Sequence, residues 1–348
     1  MIDNTQSKKV SEQVLAAVKL RDKWGYINKT GKYVVNPQFD YAGGFREGLA
    51  IVSINGKEGY INKLGQFLVE PKFEKTLGFS EGFAWVRIGK KYGYIDTTGK
   101  LVIKAQFNEA QVFQEGVARV RAGLKWGFID RSRWGFIDKA GKYTINPQFH
   151  EVRDFSQGLA QVKRDGKWGY IDPRGEYVIN PQFDWAFGFT EGLAVVSVAS
   201  NRAPFDGKWG YIDNTGKFVI DPQFDWASFF SEGLAEVRLG EKWGYIDKTG
   251  KLAIKPQFDH TSRFSEGLAS VGFGGQSNFE DLADLAIRGG KWGYIDKRGE
   301  FAIDPHFDGA LDFSQGLAAV ETNGKWGYID NSGKYVINPQ FDETWIFL

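Results

Sequence analysis

One phrase recurs along the chain, roughly G-L-A-x-V, K-W-G-Y-I-D-x-x-G-K, V-I-x-P-Q-F-D and F-S-E-G, at a step of 34 residues. A period of that length restricts the fold severely. Each repeat is one supersecondary unit, too small to bury its apolar face alone, so neighbours must stack into a continuous core. The second position of each K-W-G-Y marks nine units, at Trp24, Glu58, Tyr92, Trp126, Trp168, Trp209, Trp243, Trp292 and Trp326. Three steps are longer than the rest, at 42, 41 and 49 residues.

The fifth unit shows the local grammar. Leu159–Arg164 alternates apolar and polar residues and stops at Asp165-Gly166, a pair that signals a two-residue hairpin turn. Lys167–Asp172 follows, then Pro173-Arg174-Gly175, in which proline presets the first turn angle and glycine takes the positive φ. Glu176–Asn180 is stopped by Pro181, and the three segments read as a three-stranded antiparallel meander. Period-two alternation places Gly169 and its equivalents on a bare strand face, expected to seat the neighbouring unit. Two phenylalanines six residues apart, such as Phe183 and Phe189, are expected to pin a non-strand connector to the core.

Lys291-Trp292-Gly293-Tyr294-Ile295-Asp296, Pro305-His306-Phe307-Asp308 and Phe313-Ser314-Gln315-Gly316-Leu317 together resemble the WG (KWG) repeat family of bacterial proteins, over residues 15 to 347. The resemblance implies a repeat architecture and no particular activity. The sequence departs from the pattern at Glu58 and Tyr92, where tryptophan is replaced, and at Ala105, where proline is lost. Looser packing is expected in the second and third units.

The fold expected is all-β: one domain of nine three-stranded meanders over residues 15–348, preceded by a polar tail over residues 1–14. An open, curved, solenoid-like superhelix is favoured over a closed propeller, whose blades usually have four strands and 40 or more residues. Against the open array stands the apolar end Trp345-Ile346-Phe347-Leu348, where a polar cap is required.

Aromatic residues form 16% of the chain, enough for a core of ring against ring. Forty-four basic and 43 acidic side chains are interspersed, and the resulting charge of +1 argues against a nucleic-acid partner. No run of 18 apolar residues suggests a transmembrane helix. The polar N-terminus favours a cytoplasmic location, although an exported form trimmed of a signal peptide would read the same. Without cysteine there is no thiolate chemistry, and His150, His260 and His306 lie in three different units, so no metal site, cofactor site or catalytic residue is assigned. The aspartates of Y-I-D and P-Q-F-D recur in like surroundings. An active site is a single asymmetric constellation, so turn capping and links to the lysine before tryptophan explain them better than a glycosidase pair.

Recognition is therefore sought where the repeats vary. The residue after F-D is scattered in type, which suggests exposure. Tyr41, Trp185 with Phe187, and Trp226 with Phe229 are the candidate partner-binding residues. A non-catalytic scaffold for a protein partner is expected, with a carbohydrate stacked on the tryptophans as the alternative. Insertions at 126–134, 199–205 and 273–290 break the period; in the last, Asn278 is suited to cap a short helix carrying Leu282, Leu285 and Ala286 on one face.

Overall fold

The computed structural model describes residues 13–123, 125–126, 129–130, 132–198, 207–274 and 290–348. The insertion at 199–205 and the expected helix after Asn278 lie outside the described residues. Contacts group the chain into two compact units: one comprises residues 1–52, 62–66 and 230–348, the other residues 53–61 and 67–229.

In the second unit, the strands Trp185–Thr190, Leu193–Val198, Lys208–Ile212 and Phe218–Phe224 form one antiparallel sheet in chain order. The expected three-stranded meander is corrected to a four-stranded blade. The segment after P-Q-F-D, read as a non-strand connector, is itself a strand: Trp185 lies opposite Ser197 and Ala186 opposite Val196. Here the preceding repeat donates the lead strand, whereas the sheet of Phe83–Ile88, Lys91–Asp96 and Leu101–Phe107 keeps three strands. Glu191-Gly192 makes the hairpin turn, with φ of 50° and 87°, the left-handed pair that a twisted two-residue loop requires. The same four-strand order holds for Glu151–Ser156 through Tyr177–Phe183 in this unit and for Gly309–Ala310 through Tyr335–Phe341 in the first.

The middle strand organises every blade. Tyr170 is fully buried, and its hydroxyl donates to the carbonyl of Phe187 at 2.8 Å while its ring lies 5.1 Å from Phe189. Tyr26, Tyr94 and Tyr294 repeat the bond to Gly43, Gln111 and Leu311, each at 2.8 Å. In the fourth repeat Phe136 stands in this place and keeps the ring contact, 4.9 Å from Phe155. All eighteen phenylalanines of the spaced pairs are buried, as expected of anchors.

The strand glycine has a different neighbour from the one expected. A Cβ on Gly169 would lie 2.5 Å from the Ile179 carbonyl oxygen and 2.6 Å from the Pro181 nitrogen, both in its own blade. The third strand bulges against the bare glycine, as the register shift between Trp168↔Phe183 and Tyr170↔Ile179 records. The next repeat is seated instead by the turn glycine: Gly175, at φ +85°, faces Ile145 of the preceding blade at 3.2 Å from its ideal Cβ.

That seat decides the architecture. In the first unit, Gly31 of the first repeat faces Ile337 of the last, and Ala16, Val18 and Ile27 share a core with Tyr328, Ile337, Phe341 and Phe347. Glu343–Thr344 pairs with Leu15–Leu20 as the lead strand of the first blade, and Trp345 N–H donates to the Ala17 carbonyl at 3.1 Å. The last repeat therefore docks on the first through the contacts that join successive repeats, and the nine-bladed chain is a β-propeller. The expected open superhelix is overturned. Within the apolar C-terminal segment, Phe347 is fully buried in the core that Tyr328 and Phe341 of the last repeat share with Ala16 and Val18 of the first.

Removing the Phe347 ring should cost about 3–5 kcal/mol in urea unfolding, as for other buried phenylalanines. Gly169→Ala should cost about 3 kcal/mol or more, because its Cβ would meet backbone that cannot rotate away.

Candidate interaction surface

The variable position opens the lead strand, and its exposure differs from blade to blade. Tyr41 is 41% exposed and lies edge-on to Trp24 with centroids 6.2 Å apart. Trp185 and Trp226 are half-buried, and Gly309 is buried. Scatter in residue type thus reflects what each neighbouring tryptophan leaves room for, as well as contact with solvent. His260, for example, stacks at 6.1 Å on Trp292, and desolvation lowers its pKa.

The second unit brings three of the five candidates together. Phe187 stacks on Trp209 with centroids 5.6 Å apart and planes at 27°; Trp226 meets the same indole at 4.8 Å; Phe229 stands edge-on to Phe187 at 5.3 Å. Trp185 opens the strand that carries Phe187, two residues earlier on the same face. Tyr41 belongs to the other compact unit. Phe187, Trp226 and Phe229 are each only half-buried, so the cluster presents ring edges and faces to solvent in fixed positions.

Trp209 was the member missed. As a register residue of K-W-G-Y it reads as core, and nothing in the linear spacing shows that Phe187 and Trp226 flank it from two successive lead strands. The register of the fourth repeat also needs correction. Trp134, not Trp126, pairs with Arg121 and Phe149 in the blade, while Lys125–Trp126 and Ile129–Asp130 form a small hairpin from the duplicated K-W-G-F-I-D.

The recurring acids are engaged structurally. Asp172 Oδ1 accepts the N–H groups of Arg174 at 2.9 Å and Glu176 at 3.0 Å, holding the second turn. The P-Q-F-D aspartate takes the lysine before tryptophan: Lys167 reaches Asp184 at 2.6 Å, and Lys242 and Lys291 reach Asp259 and Asp308 at 2.5 Å. A third acid links blades. Glu115 accepts from Gln157 and Gly158 N–H at 2.6 and 2.9 Å, and Glu232 and Glu266 accept from Gly267 and Gly316 N–H at 3.0 and 2.8 Å. Hydroxyl bonds from Thr215 and Thr249 lower the pKa of Asp213 and Asp247, and ion pairs with Lys242 and Lys291 lower those of Asp259 and Asp308.

The profile of the WG containing repeat matches residues 24–57, 59–92, 92–126, 134–168, 168–200, 209–243, 243–276, 292–326 and 326–347. No curated protein matches the sequence. Among solved structures, that of a eukaryotic initiation factor is similar, at 14% identity over 97% of this chain and 98% of that one, with a TM-score of 0.64. At that identity the likeness concerns fold alone. PorZ, a surface component of the type-IX secretion system of Porphyromonas gingivalis, is 10% identical over 91% of this chain and 46% of that one, with a TM-score of 0.35. No helix among the described residues is long and apolar enough to cross a membrane.

The lowered carboxyl values set the direction of the acid response. Each such group binds protons more weakly folded than unfolded, so its stabilisation is complete above the unfolded value of about 4 and is lost as pH falls through the folded value. Urea midpoints should fall slightly from pH 7 to about 5, where desolvated His260 resists the proton that the unfolded chain takes up, and decline more steeply below pH 4 as the carboxylates protonate.

Proposed function

The chain belongs to the WG-repeat family, and from that premise we propose that it is a non-catalytic scaffold whose propeller holds a protein partner against the side chains that vary between repeats. The observation that carries this reading is the cluster of half-buried Phe187, Trp226 and Phe229 around the buried indole of Trp209. Large rings already held by their neighbours lose little rotamer freedom when a partner covers them, so most of the area they bury contributes to affinity. Trp185 and Tyr41 supply further ring area at equivalent positions of their own blades. A non-catalytic role fits the acids, which repeat in equivalent turns and ion pairs rather than forming one distinct constellation.

A second reading has support from the same rings. The face of an indole offset from its neighbour is also a platform for a sugar ring, so a glycan is the alternative ligand. The two readings separate in one set of measurements. Trp185→Ala/Trp226→Ala should retain the parent's circular dichroism and melting temperature within a few degrees. It should fail to retain the proteins that the parent captures from its host's extract. Oligosaccharides should leave the parent's tryptophan fluorescence unchanged under the first reading and shift it saturably under the second. A folded double variant that binds both as well as the parent refutes each assignment.

A further inference from the structure

The departures from the repeat template converge on one groove in the second compact unit. A cavity of about 460 Å³ runs between the end of one blade's third strand and the next blade, and Lys57, Lys72, Phe73, Ile88, Ile95 and Leu101 line it. Lys72 stands where most repeats have glutamine, Glu74 where they have aspartate, and Ile88 is an apolar residue 46% exposed at the end of its strand. The usual ion pair has been rewired. Glu74 binds Arg87 at 3.1 Å, so among the described residues neither Lys57 nor Lys72 has a carboxylate partner.

The strand beside this groove has lost its guard. Leu101–Phe107 is the outer strand of a three-stranded sheet, and Leu101 and Val102 are 41% and 42% exposed. In the other repeats a proline interrupts this edge, which denies a donor to any incoming strand. Here the residue is Ala105. The ladder to the middle strand steps from Ile103↔Tyr94 to Phe107↔Tyr92 and passes over it, just as it passes over proline elsewhere. Its N–H therefore lies outside the blade's own ladder.

A groove at the equivalent place in this unit provides the contrast. It is lined by His150, Glu151, Lys163, Arg164 and Tyr177, with a volume of about 730 Å³. There Lys163 is paired with Glu151 at 2.9 Å, and the adjoining edge Tyr177–Phe183 keeps Pro181. A cleft between blades thus occurs in both places; of the two, the first alone combines uncompensated lysines with a proline-free apolar edge.

We propose that Leu101–Phe107 and the adjoining groove bind an extended acidic peptide by strand addition, with alternate apolar side chains on Ile88 and Leu101 and carboxylates on Lys57 and Lys72. Main-chain bonds to the edge hold such a segment, and the alternation of its side chains meets apolar wall and lysine in turn. Charge complementarity selects an acidic strand over a second copy of this edge, which would bring lysines to lysines. The site is separate from the aromatic cluster and does not depend on it.

A fluorescein-labelled heptapeptide of alternating valine and glutamate tests this by anisotropy. The parent should bind saturably, and Ala105→Pro should weaken binding about tenfold or more while melting no lower than the parent, since it restores the template residue. Lys57→Glu/Lys72→Glu should weaken it similarly, and hydrogen exchange at the Ala105 amide should slow when peptide is present. Trp185→Ala/Trp226→Ala should bind the peptide unchanged, so failure of either surface is distinguishable from failure of the other. Absence of saturation by about 1 mM, or a folded Ala105→Pro that binds like the parent, overturns the proposal. So does a parent that self-associates through this strand, shown by Ala105→Pro making it monomeric in sedimentation without affecting peptide affinity.

Discussion

A buried tyrosine hydroxyl bonded to a carbonyl further along the chain is the contact on which the array depends. Tyr26, Tyr60, Tyr94, Tyr170, Tyr211, Tyr245, Tyr294 and Tyr328 each make it to the residue 17 positions later. A single such bond contributes about 1 kcal/mol, but a buried carbonyl left without a partner costs about 1–3. The bond fixes the segment that leaves one blade as it becomes the lead strand of another. Burial raises the phenol's pKa, as at Tyr170, so the hydroxyl stays protonated and remains a donor at any physiological pH. The phenylalanine two residues beyond that carbonyl then covers the same ring, so donor, acceptor and apolar lid are all set by local spacing.

Closure follows from this offset between repeat and blade. The blades led by Trp185–Thr190 and Gly309–Ala310 borrow that strand from the repeat before, and an open array built this way would leave its first blade one strand short and its last lead strand unpaired. Pairing Glu343–Thr344 with Leu15–Leu20 satisfies both, and Gly31 takes Ile337 as Gly65, Gly99 and Gly175 take Val35, Val69 and Ile145 of their preceding repeats. The surface acids reinforce this order rather than create it. Exposed pairs such as Lys242–Asp259 contribute roughly 0–1 kcal/mol each, and their regularity reflects repeated turn geometry.

A scaffold this regular leaves recognition to its irregularities, and two kinds are present. Side chains at the start of the lead strand vary freely because they lie over the neighbouring tryptophan, where a ring, an imidazole or no side chain at all can be accommodated. In the second and third repeats the template residues themselves change, which alters charge and edge protection together. The replaced positions themselves are still engaged. Tyr92 meets Trp85 edge-on at 5.1 Å, and Glu58 accepts the Thr76 N–H at 2.6 Å in place of the missing indole.

The 34-residue spacing, the Asp-Gly and glycine turns and the paired phenylalanines were readable in the linear chain because each expresses a local rule: strand alternation, positive φ, or a fixed reach between anchors. They determined an all-β repeat protein and its family. Strand count, closure and the partners of the glycines were settled only by tertiary structure. Whether Trp185-Ala186-Phe187 is a connector or a strand depends on hydrogen bonds to Leu193–Val198, and whether Trp345–Leu348 caps or joins depends on Leu15–Leu20, more than 320 positions away. The aromatic candidates were likewise visible one by one, but Trp209 between Phe187 and Trp226 was not. A repeat pattern specifies what each unit offers its neighbours, whereas which side chains meet across blades depends on a register that exists only once the blades have stacked.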